Sequence, residues 1–525
     1  MTSSRFRGRP RQAGPPTGAR LAQAVLGGAI AVMWLCLLVP ATDTGARGGP
    51  GPGAVAQEGD GTYTADLVLP LIAAVTAVAL AAYGYVRRTR RTRTRTTPGG
   101  ALPGPPPQPT LARFDLQSRA ALVEADDCVR TSREELAFAG TRFDAADAEP
   151  FGRALREAEA ELSAAFRMRQ RYDDGVPGEE SARRQVLAGI VGRCAEAGRR
   201  LDTEAAGFDV LRGLELGIGA ALEVAEARFR ELAGRTGTTE AILGDLAERY
   251  PSGATASVVG YVEQAKDRLV FATVRLNQSR QQADLGNADL AAAHLRAAEG
   301  AITQAAVFVD GVDRLAQELT TAAGLVPGAL TGAEAELAGV REWLRGERGG
   351  GGGPDVPVGE VRARLARADI VLAAVREELT AGPYDPLDAL RRIAEAVTPL
   401  AAGRAGVIPA AALLVARSST RAAADFVSTH RGAVGATART RLAAAEALLA
   451  DGDHLAADAR AGEARHLAEQ DVRAHGTPYA GAGAHAISVG GAVLGGILLG
   501  GDPDGGPPAS FGGPRTRARR RPNLP

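Results

Sequence analysis

The feature that most limits what this chain can fold into is a run of apolar residues at helical spacing. Val258, Val262, Ala265, Leu269, Ala272 and Leu276 follow one another at intervals of 4, 3, 4, 3 and 4. That alternation places all six on one stripe of an α-helix, the pattern of helices packed side by side. A second stripe runs through Val186, Ile190, Cys194 and Leu201. Similar patterning extends from Leu111 to about Gly476, broken at DDGVPG (173–178), YPSG (250–253), GERGGGGGPDVP (346–357) and AGPYDP (381–386). Helices of roughly 25–35 residues between such breaks are about 40–50 Å long. None can bury its apolar stripe alone, so the expected fold is all-α, with long antiparallel hairpins forming a coiled-coil-like bundle. Aromatics are only 4% of the chain, which suits an Ala/Leu helix interface better than a sheet sandwich. ADLGNADLAAAHLRAAEGAITQA (283–305) and ALLADGDHLAADARAGEARHLAEQ (447–470) share a leucine, a Gly-Asn or Gly-Asp turn and an Ala-rich helix, the form of a repeated helix-turn-helix.

Two uncharged apolar runs precede this region. Residues 21–39, LAQAVLGGAIAVMWLCLLV, follow an arginine-bearing segment and precede PATDTGA, so residues 1–46 read as a signal peptide or a first membrane anchor. Residues 67–86, LVLPLIAAVTAVALAAYGYV, are long enough to cross a bilayer, with Tyr83 and Tyr85 at an interface level. Six arginines follow at once: Arg87, Arg88, Arg90, Arg91, Arg93 and Arg95. Such a flank keeps its side of the span cytoplasmic and suits anionic lipid. The expected order is a short extracytoplasmic loop at 47–66, a membrane helix at 67–86 and an Arg-rich, then Pro-rich linker at 87–110. A cytoplasmic helical bundle at 111–476 and a Gly-rich apolar segment with a basic tail at 477–525 complete it. The predicted location is the cell membrane, with most of the chain cytoplasmic.

Charge and lysine content narrow the function. The formal net charge is zero, yet residues 111–500 hold 44 basic and 55 acidic side chains, a net of −11. An acidic body argues against nucleic-acid binding, which is kept only as a remote alternative through the arginine segments. Lys266 is the sole lysine and has no glycine before it, which excludes a P-loop. The six histidines form no HExxH pair, and no G-x-S-x-G elbow occurs. Glu463 and His466 form a lone Glu-x-x-His, whereas di-iron bundles need two with further buried glutamates. Adjacent acidic pairs such as Asp126-Asp127 point about 100° apart on a helix and are not carboxylate dyads. No catalytic, cofactor-binding or metal residue is assigned, and no cofactor is expected. Cys36, Cys128 and Cys194 have no CxxC spacing and read as reduced, structural thiols.

The C-terminal VGGAVLGGILLGG (489–501) lacks the lysine and the strand of a phosphate loop, and is short for a membrane span. Gly491/Gly495 and Gly496/Gly500 have small-xxx-small spacing, which permits close helix approach. The tail beyond it is expected to be disordered. Its arginines, Arg515, Arg517, Arg519, Arg520 and Arg521, are placed to touch anionic lipid or the chain's own acidic body.

Several stretches carry a resemblance. They are RFDLQSRAALVEADDCVRTSREELAFA (113–139), AAFRMRQRYDD (164–174), YDPLDALRRI (384–393), HRGAVGATARTRLAAAEALL (430–449), VGGAVLGGILLGG and SFGGPRTRARRR (510–521). Together they resemble the membrane-anchored TPM-domain proteins of actinobacteria. The resemblance implies a signal peptide, an extracytoplasmic TPM domain, one membrane helix, a cytoplasmic coiled region and a Gly-rich tail with a basic end. Residues 47–66 are too few for the TPM domain itself, so its calcium-binding and phosphatase-like properties carry over to no residue of this chain. The expected function is a non-enzymatic, membrane-anchored helical scaffold of the actinobacterial cell envelope. A protein partner of unknown kind and self-association through helices are its expected interactions. The alternative is a subunit or truncated form of a TPM-type protein.

Overall fold

The computed structural model describes residues 110–140, 143–346, 357–400, 406–475 and 510–519. Among the described residues the structure is all-helical, without strands. Several expectations fall outside the described residues. They are the apolar runs at 21–39 and 67–86 and the flanking Arg87, Arg88, Arg90, Arg91, Arg93 and Arg95. The small-xxx-small glycines Gly491, Gly495, Gly496 and Gly500 also lie outside the described residues. Among the described residues no helix is long and apolar enough to cross a membrane.

The chain first forms α1 (Leu111–Ala139), α2 (Ala145–Asp173) and α3 (Glu180–Arg212). Thr110 caps α1 by accepting from the Arg113 N–H at 3.3 Å. α2 ends where the DDGVPG break begins: Gly175 takes φ +82°, and its N–H and that of Val176 return to Tyr172 O and Arg171 O. Ion pairs step in opposite directions along neighbouring helices, Arg193–Glu161 and then Arg200–Glu157, which makes α2 and α3 antiparallel. The predicted stripe is inside: Ile190, Cys194 and Leu201 are buried against Leu122, Leu155, Leu162 and Phe166.

A larger core surrounds α6 (Ala288–Gly346), a helix of 59 residues and so about 88 Å long. α4 (Leu214–Arg249) and α5 (Tyr261–Asp284) lie along its first half. Between them runs one helical turn at Ser252–Thr255 and a 3₁₀ turn at Ala256–Val258. All six members of the 4-3-4-3-4 seam are buried. Val258, Ala265, Leu269, Ala272 and Leu276 share one core with Leu295, Ile302, Val309 and Val312 of α6. α7 (Val358–Ala381) and α8 (Pro386–Val397) cover its second half, with α9 (Val407–Thr429) packed along it. α6 is longer than the sequence reading anticipates because nothing breaks it before the glycine run at 346. Its internal Pro327 does not end it.

YDPLDALRRI proves to be a helix start. Asp385 accepts from the Leu387 and Asp388 N–H groups, and Pro386 occupies the first helical position, where its missing N–H costs nothing. Leu387, Leu390, Ile393 and Val397 then bury one face of α8 in the α6 core.

α10 (Ala436–Ala450) and α11 (His454–His475) form a closing hairpin whose core is shared with the second half of α9. The two echoed stretches are the α5–α6 and α10–α11 hairpins. Gly286 and Gly452 take φ +76° and +83°. In both turns the next N–H reaches back five residues, Asn287 to Gln282 O and Asp453 to Leu448 O, each at 2.9 Å. This is the same left-handed helix cap made twice.

Residues 510–519 correct one expectation. They are ordered on the body, with Phe511 buried and α12 (Pro514–Arg519) formed against α1 and α3. The contacts described next supply the enthalpy that a free Gly/Arg-rich tail lacks.

Candidate docking site on the first three helices

α1 is where the first and last described helices meet. Four of the stretches singled out in the sequence converge on it or its partners: α1 itself, the C-terminal half of α2, the α9–α10 turn and the C-terminal segment. Their meeting is held by buried charge on one flank and by a docked peptide on the other.

The charged flank centres on Arg439, whose side chain is fully buried. It donates to Asp126 at 2.6 Å, to Asp127 at 2.7 Å, to Val434 O at 3.1 Å and to Arg431 O. Arg431 makes a two-pronged bond to Glu134 at 2.9 and 3.1 Å. Arg130 donates to Asp126 from one turn along α1, at 2.9 Å. Burial by itself would raise the Asp126 carboxyl, but Arg130 and Arg439 together hold it below the ordinary carboxylate value. Glu446 sits beside Arg130 with its carboxyl raised, because there burial wins. Asp126 and Asp127 are therefore brought together by a shared arginine from over 300 residues away, and their function is to staple α10 to α1. AAFRMRQRYDD joins from α2: Arg169 binds Asp115 of α1 and Asp173, and Gln170 accepts from Arg441 at 2.6 Å.

The peptide flank is made by Ser510–Arg517. Phe511 inserts among rings, stacked on Phe208 with centroids 4.6 Å apart and edge-on to Phe151 at 5.8 Å. The Gly512 N–H donates to Ser132 Oγ at 3.1 Å. Asp202 of α3 then takes four bonds from the segment: from the Gly513 N–H at 2.9 Å, the Arg515 N–H at 3.3 Å, the Thr516 N–H at 3.0 Å and the Thr516 hydroxyl at 2.7 Å. Arg517 donates to Asp127 O at 2.8 Å.

The fit demands glycine. A Cβ on Gly513 would collide with the Gly198 carbonyl, and one on Gly198 would lie 2.7 Å from Pro514 Cδ. Gly512 takes φ +137°, a region that side-chain-bearing residues avoid. The groove thus reads Phe-Gly-Gly-Pro-x-Thr through a ring pocket, two close approaches at Gly198 and one carboxylate.

Cys128 and Cys194 lie buried in the same core as Phe511. Burial pushes their thiols up to about 11 and about 12, so both are poor nucleophiles in the closed structure.

The tail arginines have unequal roles. Arg517 binds a carbonyl and Arg515 is exposed, its backbone N–H alone engaging Asp202. Arg519 ends α12, and Arg520 and Arg521 lie outside the described residues. The tail does meet the acidic body, but through backbone donors and a phenyl ring more than through arginine–carboxylate attraction. The residues missing from the sequence reading are Asp202, Gly198, Ser132, Phe511 and Thr516. One signal pointed to them: in a chain with 12 phenylalanines, Phe511 follows an apolar glycine run and precedes Gly-Gly-Pro.

Elsewhere, Glu463 is held by Arg441 at 2.9 Å and Arg460 at 2.7 Å, and His466 contacts Gln470 at 2.8 Å. Among the described residues no group of three or more His, Cys, Asp or Glu side chains is placed to hold a metal. One concavity is lined by Phe138, Arg212, Leu214 and Glu299, another by Tyr261, Arg314, Glu318, Ser418 and Asp425; each holds about 10 Å³, room for about one water.

Two curated proteins from strains of Mycobacterium tuberculosis, both described as UPF0603 proteins, are similar to this chain at 31% identity over 352 residues. The match covers 64% of this chain and 52% of each relative, so the chain spans about half the length of the curated relatives it matches. No family model and no solved structure matches.

Proposed function

We propose that this chain is a non-enzymatic, membrane-anchored scaffold whose helical body stands at the cytoplasmic face of the cell membrane. One observation carries the reading: side chains able to do chemistry are engaged in joining helices. Arg212 binds Glu299 across α3 and α6 at 2.6 Å, Ser418 donates to Glu318 across α9 and α6 at 2.6 Å, and Arg391 binds Asp458 across α8 and α11 at 2.7 Å. Long helices joined by such pairs form a rigid spacer. The uncharged run at 67–86 and the arginines after it supply the anchor and its orientation.

The test uses a reporter on the body. Cys128 and Cys194 are buried, so Val210→Cys, at an 83% exposed position of α3, is placed in a Cys36→Ser background. The chain is expected in the membrane fraction after a high-salt wash. Its Val210→Cys thiol should react with an impermeant maleimide only after the cells are opened. Recovery in the soluble fraction, or labelling of intact cells, overturns the reading.

A second reading, a subunit or truncated form of a TPM-type, phosphatase-like protein, rests on the resemblance of the quoted stretches alone. Phosphatase activity of the purified chain, with or without calcium, would favour it over the scaffold.

A further inference from the structure

We infer that the groove on α1–α3 is a sequence-specific peptide site, and that its second occupant is the Ser510–Arg517 segment of another copy of this chain. Copies would then link by exchanging tails. This does not rest on the membrane reading.

Three observations carry the inference. First, recognition is local. The ring pocket of Phe151 and Phe208, the Ser132 hydroxyl, the Gly198 surface, the Asp202 carboxylate and Asp127 O engage the segment within eight residues. None of these contacts depends on the segment being joined to the body that holds it.

Second, the connection is long. Residues 476–509 separate the end of α11 from Ser510, and 34 residues can span at most about 115 Å. A segment on such a tether can reach the groove of an adjacent copy. Exchange of an identical element between protomers makes the same contacts twice and requires no new surface.

Third, the occupant is specified. The groove excludes a Cβ at Gly513, and the segment's own turn onto Thr516 excludes one at Gly512. A ring must precede them, and donors for Asp202 must follow Pro514. Phe-Gly-Gly-Pro occurs once in this sequence, at 511–514. A second copy therefore brings the matching ligand, whereas an unrelated partner would have to carry the same rare run.

The chain's own tail competes with that of a second copy because it is tethered to the groove it fills, which makes its own docking intramolecular. Exchange is accordingly favoured where copies are crowded.

The experiment uses two full-length variants. Phe511→Ala disables the tail and leaves the groove intact. Gly198→Leu combined with Asp202→Asn disables the groove and leaves the tail intact. Far-UV circular dichroism and thermal melts establish that both are folded. In sedimentation each variant alone is expected to be a monomer, and their mixture a one-to-one dimer. A synthetic peptide of residues 510–519 is expected to bind the Phe511→Ala chain at least ~100-fold more tightly than the wild-type chain, whose groove is filled. It should dissociate the mixed dimer when added in excess.

Failure of the peptide to bind Phe511→Ala overturns the peptide site. Peptide binding with a mixture that stays monomeric overturns exchange between copies and leaves the groove closed only by its own tail. Should the double variant not fold, the wild-type chain serves instead. Its weight-average mass must rise with concentration and fall when the peptide is added; a constant mass overturns exchange.

Discussion

Asp202 and Arg439 show two ways in which one charge joins distant parts of a chain. Asp202 accepts four bonds from three residues of the docked segment, so replacing it with alanine removes a charged acceptor from several donors at once. Asp202→Ala is expected to weaken tail docking by about ten- to a hundred-fold, each bond to a charged group being worth about 1.5–3 kcal/mol when unshared. The readout is labelling of Cys128 and Cys194 under native conditions, which should speed up when Phe511 leaves the core it shares with them; unchanged rates would contradict the assignment. Arg439 presents the opposite case. Arg439→Ala leaves Asp126 buried with one arginine fewer, and a loss of about 3–5 kcal/mol in urea unfolding is expected. Arg439→Lys should recover little, because one ammonium cannot reach two carboxylates and two carbonyls held in a fork geometry.

At the scale of elements, the hairpin turns follow local rules. Gly286 and Gly452 sit in the left-handed region at the same place in the same cap. A side chain there is strained in the folded state whatever the surroundings, and no atom stands within 4 Å of a Cβ at either position. Gly286→Ala and Gly452→Ala are therefore expected to cost about 1–2 kcal/mol each, and by similar amounts, as read from urea midpoints. A large inequality between them would mean that tertiary packing, not cap geometry, sets the cost. The helix boundaries were legible for the same reason: the breaks at 173–178, 250–253, 346–357 and 381–386 all coincide with helix ends. The turns at 285–287 and 451–453 were legible only as an echo. The length of α6 was not, because a general helix length of roughly 25–35 residues says nothing of one uninterrupted run, and Pro327 lies inside the helix without ending it.

For the whole molecule, the pH dependence of stability has an identifiable component. His430 is buried at the α9–α10 turn, stacked on Phe426. Burial, with Arg268 and Arg465 nearby, pushes its pKa down from an ordinary 6.5 to about 4. The unfolded chain thus takes up a proton before the folded one. The contribution is fully present above pH 6.5 and is lost as pH falls toward 4, by up to about 3 kcal/mol. Asp425 and Glu446, whose carboxyls burial raises, act in the other direction, since the folded state binds their protons first. The His430 term is isolated by comparing the wild-type chain with His430→Asn between pH 7 and pH 4.5. The variant should lose less stability on acidification, and equal losses would contradict the assignment.

The sequence by itself determined that the described part of the body is built of long helices, where several of them end, which residues line their stripes, and that no P-loop motif is present. These follow from periodicities of a few residues and from turn chemistry, both readable in a short window. It did not determine which helices meet, nor that ten residues of the tail dock on the core through a phenyl ring and backbone donors rather than through its arginines. Gly512 and Ser132 are 380 positions apart, and Asp202 and Thr516 are 314 apart. Their complementarity exists only once α1 and α3 are packed, because a carboxylate becomes a peptide-binding group when folding surrounds it with a ring pocket and a backbone close enough to require glycine. The helices were a local property of the chain, whereas the docking site belongs to the tertiary structure alone.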